Sequence, residues 1–363
     1  MTNLGLKSER IPIRDYFEWQ EMAFDKGWSD GFPVAPPLES KVAEVVEYLG
    51  REPGEVIGVI PPAHRLATIE KIAINSVMGG CKPEYAPVII AAVQAMLEER
   101  FNLNGVQVTA HSARPLVIVS GPLVKQLGFN AKIGVFAGGS RANTTVGRAV
   151  RLILWNIGGA YTGDPDRASF GHPGRFSYCI AEDQDINPWE PLHVERGLAP
   201  EDSAVTVIAA ESPRWIKYGL RIPGKENLEN IADAMSNLGN NAVYIGGYFL
   251  VVIGAGVAPT LAREGWTKQT VRQFLYEKAR QPLGRIRRHA DWAYEDRFKS
   301  RQHWHPVWVD MSDDNCMIPC VGKPDDITVM TAGGTHGNVL CPGWHAGGGW
   351  PVTRRIELPR RTA

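Results

Sequence analysis

The chain carries no net charge: 39 lysines and arginines are matched by 39 aspartates and glutamates over 363 residues. No global field therefore draws it to nucleic acid or to an anionic membrane surface, and a charged ligand must be held by local groups. Long apolar runs are missing too. The best of them, Tyr248 to Ala262, is broken by glycines and a proline and is too short to span a bilayer. The opening Met1 to Arg10 lacks the apolar core of a signal peptide, so residence in the cytoplasm is the expectation. Cysteine is scarce and odd in number, five in all, which points to reduced thiols rather than a disulfide framework. Neither nucleotide fingerprint occurs, since there is no GxGxxG after a strand and no GxxxxGKS or GxxxxGKT. That disfavours a Rossmann-type dehydrogenase, and no cofactor is expected.

What is present is an ordinary globular composition, 44% hydrophobic and 21% charged, in a chain long enough for two or more packed cores. With 38 glycines, 26 prolines and 11 tryptophans, shaped loops are expected. Helices are predicted over 39–49 with Gly50 as the stop, over 63–78 (Leu66, Ile69, Ala73 and Val77 on one face) ending at Gly79-Gly80, and again from Pro83. Strands are predicted at 105–109, 116–120 and 204–210, and a helix from Ser140 to about Asn156. After a linker at 212–225, helix 228–238, strand 248–254, helix 267–280 and strand 326–331 imply parallel pairing. The expectation is an α/β protein of two domains, 1–215 and 216–363, with mixed or parallel sheets, flanking helices and long ordered loops.

The residues that could carry chemistry lie in five places. Cys81 sits in the joint between two helices, with Lys82 at the N-cap of the second. Helix N–H groups and the ammonium favour thiolate, whereas a buried free cysteine is simply a small hydrophobe. In Gly138-Gly139-Ser140-Arg141-Ala142-Asn143-Thr144 the glycines and the Ser140 cap leave helix N–H groups approachable, with Arg141, Thr144 and Arg148 on one face. A carboxylate or phosphate clamp and a solvated surface helix are both open readings. His193 and Glu195, two apart in an extended chain, share a face and could move protons or pair with Arg196. The strip Gly27 to Pro37, three of whose last five residues are proline, must be pinned by neighbours, as a structural arm or as the wall of an active site. In the last hundred residues His303, His305, Cys316, Cys320, His336, Cys341 and His345 gather without the spacing of a zinc ribbon. The loop after strand 326–331 is better read as delivering His336 toward a pocket.

The segments Asp30-Gly31-Phe32-Pro33-Val34-Ala35-Pro36-Pro37, Glu70 to Tyr85, Glu190-Pro191-Leu192-His193-Val194-Glu195-Arg196-Gly197 and Glu264 to Lys268 resemble a bacterial family of largely uncharacterised proteins associated with UGSC-type (seleno)proteins. In that family a cysteine or selenocysteine carries redox or nucleophilic chemistry, and the resemblance implies that position 81 is where the chalcogen sits. The UGSC tetrapeptide is absent, and where a Pro-Glu-His-like turn is expected this chain has Gly254-Ala255-Gly256-Val257-Ala258, so His336 is the candidate replacement. The expected function is a cysteine-dependent enzyme that cleaves or forms a carbon–heteroatom bond in a small anionic organic substrate. Cys81 is its nucleophile or redox centre, Lys82, Ser140, Arg141, Asn143 and Arg148 bind the substrate, and His193 or His336 with Glu195 moves protons. A homo-oligomer is expected, with a UGSC-type protein as a conceivable partner and no metal. The alternatives are a zinc-dependent hydrolase or lyase built on the C-terminal His/Cys set, and a non-catalytic partner subunit of a thiol or selenol enzyme.

Overall fold

The computed structural model describes residues 4–217, 222–289, 310, 312–344 and 348–359. The chain opens with α1 (Tyr16–Asp25), α2 (Glu39–Leu49), α3 (Ile69–Met78), α4 (Ala86–Met96) and α5 (Leu103–Val108), with the hairpin β1 (Val56–Ile60) and β2 (Arg65–Thr68) before α3. There follow β3 (Arg114–Ser120), α6 (Leu123–Gln126), α7 (Arg141–Asn156), β4 (Cys179–Ala181), α8 (Leu192–Glu195), β5 (Ala204–Ala210) and β6 (Arg214–Ile216). The remainder holds α9 (Gly224–Met235), α10 (Ala242–Ile245), β7 (Phe249–Ile253), α11 (Ala258–Arg263) and α12 (Lys268–Lys278). It closes with β8 (Arg280–Pro282), α13 (Leu283–His289), β9 (Met317–Pro319), β10 (Ile327–Thr331), β11 (Asn338–Pro342) and β12 (Val352–Arg355).

Two four-stranded sheets carry the architecture, ordered β4-β3-β5-β12 and β10-β7-β11-β6. They repeat one plan. The central strand pairs in parallel on one side (β3 with β4, β7 with β10) and antiparallel on the other (β3 with β5, β7 with β11). The fourth strand is antiparallel to the third in both sheets. Each central strand is followed by a short helix (α6 or α11) and a longer helix (α7 or α12) capped by the hydroxyl of Ser140 or Thr267. The fourth strands are exchanged between sheets: β6, next in the chain after β5, pairs with β11, whereas β12, next after β11, pairs with β5.

Side-chain alternation builds four layers, because consecutive residues of a strand point to opposite faces. Val117 and Val119 of β3 and Val205, Val207 and Ala209 of β5 join the helices of the first layer in one core. Leu116, Ile118 and Ile208 instead meet Leu250, Val252, Met330 and Cys341 of the second sheet, face to face. The outer face of that sheet, with Phe249, Val251, Ile253, Val329 and Leu340, is covered by α9, α11 and α12. The order is therefore helix, sheet, sheet, helix, an α/β fold with mixed sheets and flanking helices.

Several expectations are met closely, among them the helix 39–49 with Gly50 in the left-handed region, the helix capped by Ser140, and the parallel pairing of β7 with β10. Others change. The helix expected from 63 starts only at Ile69, because Arg65–Thr68 pairs with Val56–Ile60; Leu66, assigned to an apolar helix face, is 49% exposed in the hairpin. The strand expected at 105–109 is the short helix α5, nucleated by Asn102, whose side chain accepts the Gly105 N–H. The linker expected at 212–225 contains β6, so the expected 215/216 boundary falls inside a strand. Among the described residues no helix is long and apolar enough to cross a membrane.

Truncating Ile118, fully buried between the sheets, should lower stability by about 2–5 kcal/mol. Because both halves share that core, Ile118→Ala and the wild type should each unfold in urea in one transition, coincident by tryptophan fluorescence and far-UV circular dichroism. Two separated transitions would refute the shared core.

Candidate anion-binding site

The joint around Cys81 forms as the sequence suggests. Gly79 and Gly80 close α3, Gly80 at φ +83°, and Lys82 precedes the turn Pro83–Tyr85 that leads into α4. The joint packs tightly on α7, where a Cβ at Gly79 would lie 3.1 Å from the Ala149 backbone nitrogen. Cys81 is 9% exposed and its Sγ donates to the Thr145 carbonyl at 3.1 Å. Burial outweighs that contact and the Arg141 charge and pushes the thiol up to about 12, so the thiolate expected from Lys82 and helix N–H groups does not form there at neutral pH. Lys82 is exposed.

The other expected groups lie apart. Arg141 donates through Nε and Nη2 to the Gly80 carbonyl, at 3.1 and 3.0 Å. Arg148 is held by Asp30 at 2.6 Å and by the Phe32 carbonyl at 3.3 Å. The Asn143 side chain is committed to the Asn130 backbone and Ser140 to its cap. His193 and Glu195 sit on the helical turn α8 rather than an extended chain, so their two-residue spacing no longer puts them on one face. His193 is fully buried with Nε2 3.4 Å from the Pro200 carbonyl, and burial lowers its pKa. Glu195 bridges Lys268, at 3.0 Å, and Arg272. His336 is exposed, its Nδ1 2.8 Å from the Thr335 hydroxyl.

Of the C-terminal set, Cys320 and Cys341 belong to different cores on opposite faces of the second sheet, and burial pushes both thiols up to about 12. His303, His305 and His345 fall outside the described residues. Among the described residues no group of three or more His, Cys, Asp or Glu side chains is arranged to hold a metal ion.

What the fold does bring together is a cluster of buried arginines at the start of β3. Arg114 opens that strand and donates to the Val106 and Ala113 carbonyls at 3.1 and 2.6 Å, and to Asp166 at 2.5 Å. Asp166 also holds Arg175. On α7, one turn beyond Arg148, Arg151 lies 3.8 Å from Asp30 and stacks over the Trp155 ring, 4.7 Å from its centroid. These six side chains are nearly sealed from solvent. Four guanidiniums share two carboxylates, which leaves two positive charges in excess. Burial lowers the pKa of Arg114 and Arg151 to about 10 and of Arg175 to about 9, so all three stay charged at neutral pH.

The cluster borders a cavity that offers about 20 Å³ to water-sized groups and is lined by Gln107, Arg114, Gly147, Arg151, Gly174 and Arg175. That is room for about one water-sized group, such as a single oxygen of an anion, and not for a whole organic molecule. Gly147 makes the approach possible, since a Cβ there would fall 2.4 Å from Ser177 Oγ and 2.6 Å from the Tyr178 nitrogen. Three buried polar atoms of lining side chains have no partner: Arg151 Nε, Arg175 Nη1 and Gln107 Oε1. Nearby, His172 accepts the Gly174 N–H at Nδ1, 3.1 Å away. Burial first, then the Arg114 charge, lower its pKa to about 4.

A larger groove, about 650 Å³, runs beneath the N-terminal arm and is lined in part by Trp19, Trp28, Pro36, Pro37 and Met78. The proline strip is thus a cavity wall, and it is pinned as expected: Val34 exchanges hydrogen bonds with the Gln20 side chain and Ala35 donates to the Met78 carbonyl. None of the buried unpartnered polar atoms belongs to a residue lining this groove, so the electrostatic demand for a ligand lies at the arginines.

Sequence reasoning stopped one helical turn short of this site. Arg151 interrupts the core run Val150 to Leu154, and Arg114 opens a strand buried at every position. A charge inside an otherwise apolar segment was the signal available. Asp166 and Arg175 lie in the aperiodic stretch 158–200, where no pattern assigns partners. No protein-family model matches this chain, and a search of curated proteins finds no match either.

Two outcomes follow from these environments. At neutral pH Cys81 should react with iodoacetamide roughly a hundredfold or more slowly than an unshifted thiol, and more slowly than the less buried Cys316; fast, preferential labelling of Cys81 would contradict its burial. His172 titrates at 6.5 when unfolded and at about 4 when folded, so the unfolded chain binds the extra proton in that window. Stability should be intact above pH 6.5 and fall toward pH 4, by on the order of 1–3 kcal/mol. His172→Gln should flatten this slope in urea titrations, and an unchanged slope would assign the acid sensitivity elsewhere.

Proposed function

We propose that this chain binds a small organic anion, one oxygen of whose carboxylate or phosphate head enters the cavity between Arg151 and Arg175, with the rest of the molecule reaching out past Gly174. The observation that carries this reading is the excess of two buried positive charges together with unpartnered guanidinium N–H groups on lining side chains. An unpaired buried charge costs several kcal/mol, and an anion that pairs it recovers that cost through charge-assisted, partly bidentate hydrogen bonds. Arg114 and Asp166 act as the frame: their bonds fix Arg175 and leave its second amino group over.

The reading keeps the anionic organic ligand inferred from the helix start at Gly138 to Thr144 and moves its seat from Arg141 and Arg148 to Arg151 and Arg175. It draws on Cys81 only as packing. His172, neutral at physiological pH, lies beside the lining residue Gly174 and is able to share a proton; that makes it the first residue to vary once a reaction is in hand. Placement of the protein in the cytoplasm belongs to the same proposal, in keeping with five cysteines that are all unpaired.

Acetate and phosphate, titrated into the full chain, should raise its melting temperature in a saturable way. Arg151→Met should weaken the more effective anion by about tenfold or more, the loss typical of a charged hydrogen-bond partner. Absence of any saturable shift, or an equal shift in wild type and variant, would count against the site.

A further inference from the structure

The groove beneath the N-terminal arm makes the opposite demand from the arginine cavity. It shares no lining residue with that cavity and, at about 650 Å³, falls in the range of sites that take up a whole organic molecule. One wall is apolar and flat: Trp19 and Trp28 stack with ring centroids 6.0 Å apart and planes 28° from parallel, and Ile74 and Met78 join them in the lining. Trp19 Nε1 donates to the Val34 carbonyl at 2.8 Å, so that indole has only apolar surface left to offer. The arm adds Leu6, Ile11 and Ile13 to the lining. It is strapped down by two carboxylates of the body. Glu70 accepts the Lys7 and Ser8 N–H groups at 2.9–3.1 Å, and Glu39 takes the Arg10 guanidinium at 2.5 and 2.7 Å.

The neutral polar side chains deeper in the groove are also committed. Asn156 Nδ2 donates to the Asn75 side chain at 2.8 Å and to the Trp28 carbonyl at 3.1 Å, and Asn75 donates to the Lys71 carbonyl at 2.8 Å. Three exposed cations stand around this pair. Arg65 donates to the Asn156 carbonyl at 3.1 Å, Lys71 lies one helical turn before Asn75, and Lys26 lies two residues before Trp28. Among the described residues none of the three forms an ion pair. Of the lining carboxylates, Glu39 and Glu70 are engaged, which leaves Glu9 on the exposed arm. An apolar interior with a surplus of free cations on its rim is complementary to a flat apolar anion.

We infer that this groove is a second binding site, for a planar aromatic acid of two or three rings, its rings among Trp28, Met78 and the arm and its carboxylate toward Arg65, Lys71 and Lys26. Affinity comes chiefly from the apolar surface removed from water, because exposed ion pairs contribute little each. The cations decide the choice of an acid over its neutral counterpart.

Calorimetric titration of the full chain with 2-naphthoate and the neutral 2-naphthylmethanol makes the test. 2-Naphthoate should bind with a negative heat-capacity change, the mark of apolar burial, and about threefold or more tighter than the alcohol. The triple variant Lys26→Met, Arg65→Met, Lys71→Met should bring the two ligands close together, and Trp28→Ala should weaken both by about tenfold. Equal binding of acid and alcohol by the wild type overturns the inference, and so does the lack of saturable binding by either. Binding of 2-naphthoate that is lost in Arg151→Met but kept in the triple variant also overturns it, since the acid would then sit at the arginine cavity. A dimer in sedimentation velocity that binds no 2-naphthoate would assign the groove to a second copy of the chain instead. The wild-type comparison decides the matter even if a variant does not fold.

Discussion

The face-to-face contact of the two sheets is the constraint from which the rest of the architecture follows. A strand covered on both sides has no face for water, so β3, β5 and β7 are buried at every position and their sequences run apolar without alternation. The outer faces then need helices, which α4 and α7 supply on one side and α9 and α12 on the other. The exchange of β6 and β12 tightens the arrangement. Neither sheet has its fourth strand until the other half of the chain has delivered it, so the halves are interlocked in topology as well as packed.

Burying four arginines beside such a core is unfavourable in itself. Apolar replacements of a buried ion network are often neutral or stabilising, so stability alone gives no reason to keep one that still has unpaired donors. The proposed binding role does, because a bound anion would supply the missing charge. The local backbone fits that role: Gly147 lets the Ser177–Tyr178 segment lie against α7, Arg175 precedes that segment, and Asp166 ties it to the first strand. The site is assembled from four stretches of chain, α5, the start of β3, α7 and the loop 160–178, and Arg114, Arg175 and Asp166 themselves tie α5 and the loop to β3.

The regular parts of this fold were legible because local rules decide them. Gly50 ends α2, Ser140 starts α7, and the buried strands announce themselves by composition. Errors arose where a tertiary partner overrode the local pattern, as when pairing with Val56–Ile60 turned Arg65–Thr68 from helix to strand. The repeated plan of the two sheets left no readable trace, since Leu116-Val117-Ile118-Val119-Ser120-Gly121 and Leu250-Val251-Val252-Ile253-Gly254-Ala255 are alike only as buried strands that end in glycine turns. The candidate site was half legible. The helix that bears Arg151 was readable, but the choice of Arg151 over Arg148 depends on Asp30, more than a hundred residues away, having taken Arg148.

Burial also explains why the anion chemistry outranks the thiol chemistry on which the sequence first focuses. A low-dielectric environment penalises whichever form is charged. For Cys81 the charged form is the reactive one, and a thiol pushed up to about 12 is almost entirely protonated at neutral pH. For an arginine the same penalty starts from a far higher value, and even the largest shift in the cluster leaves Arg175 at about 9, still a cation. Burial in the first layer therefore favours the neutral form of Cys81 and still leaves Arg114, Arg151 and Arg175 charged. The proposed anion site rests on groups of this second kind, which stay ionised when buried.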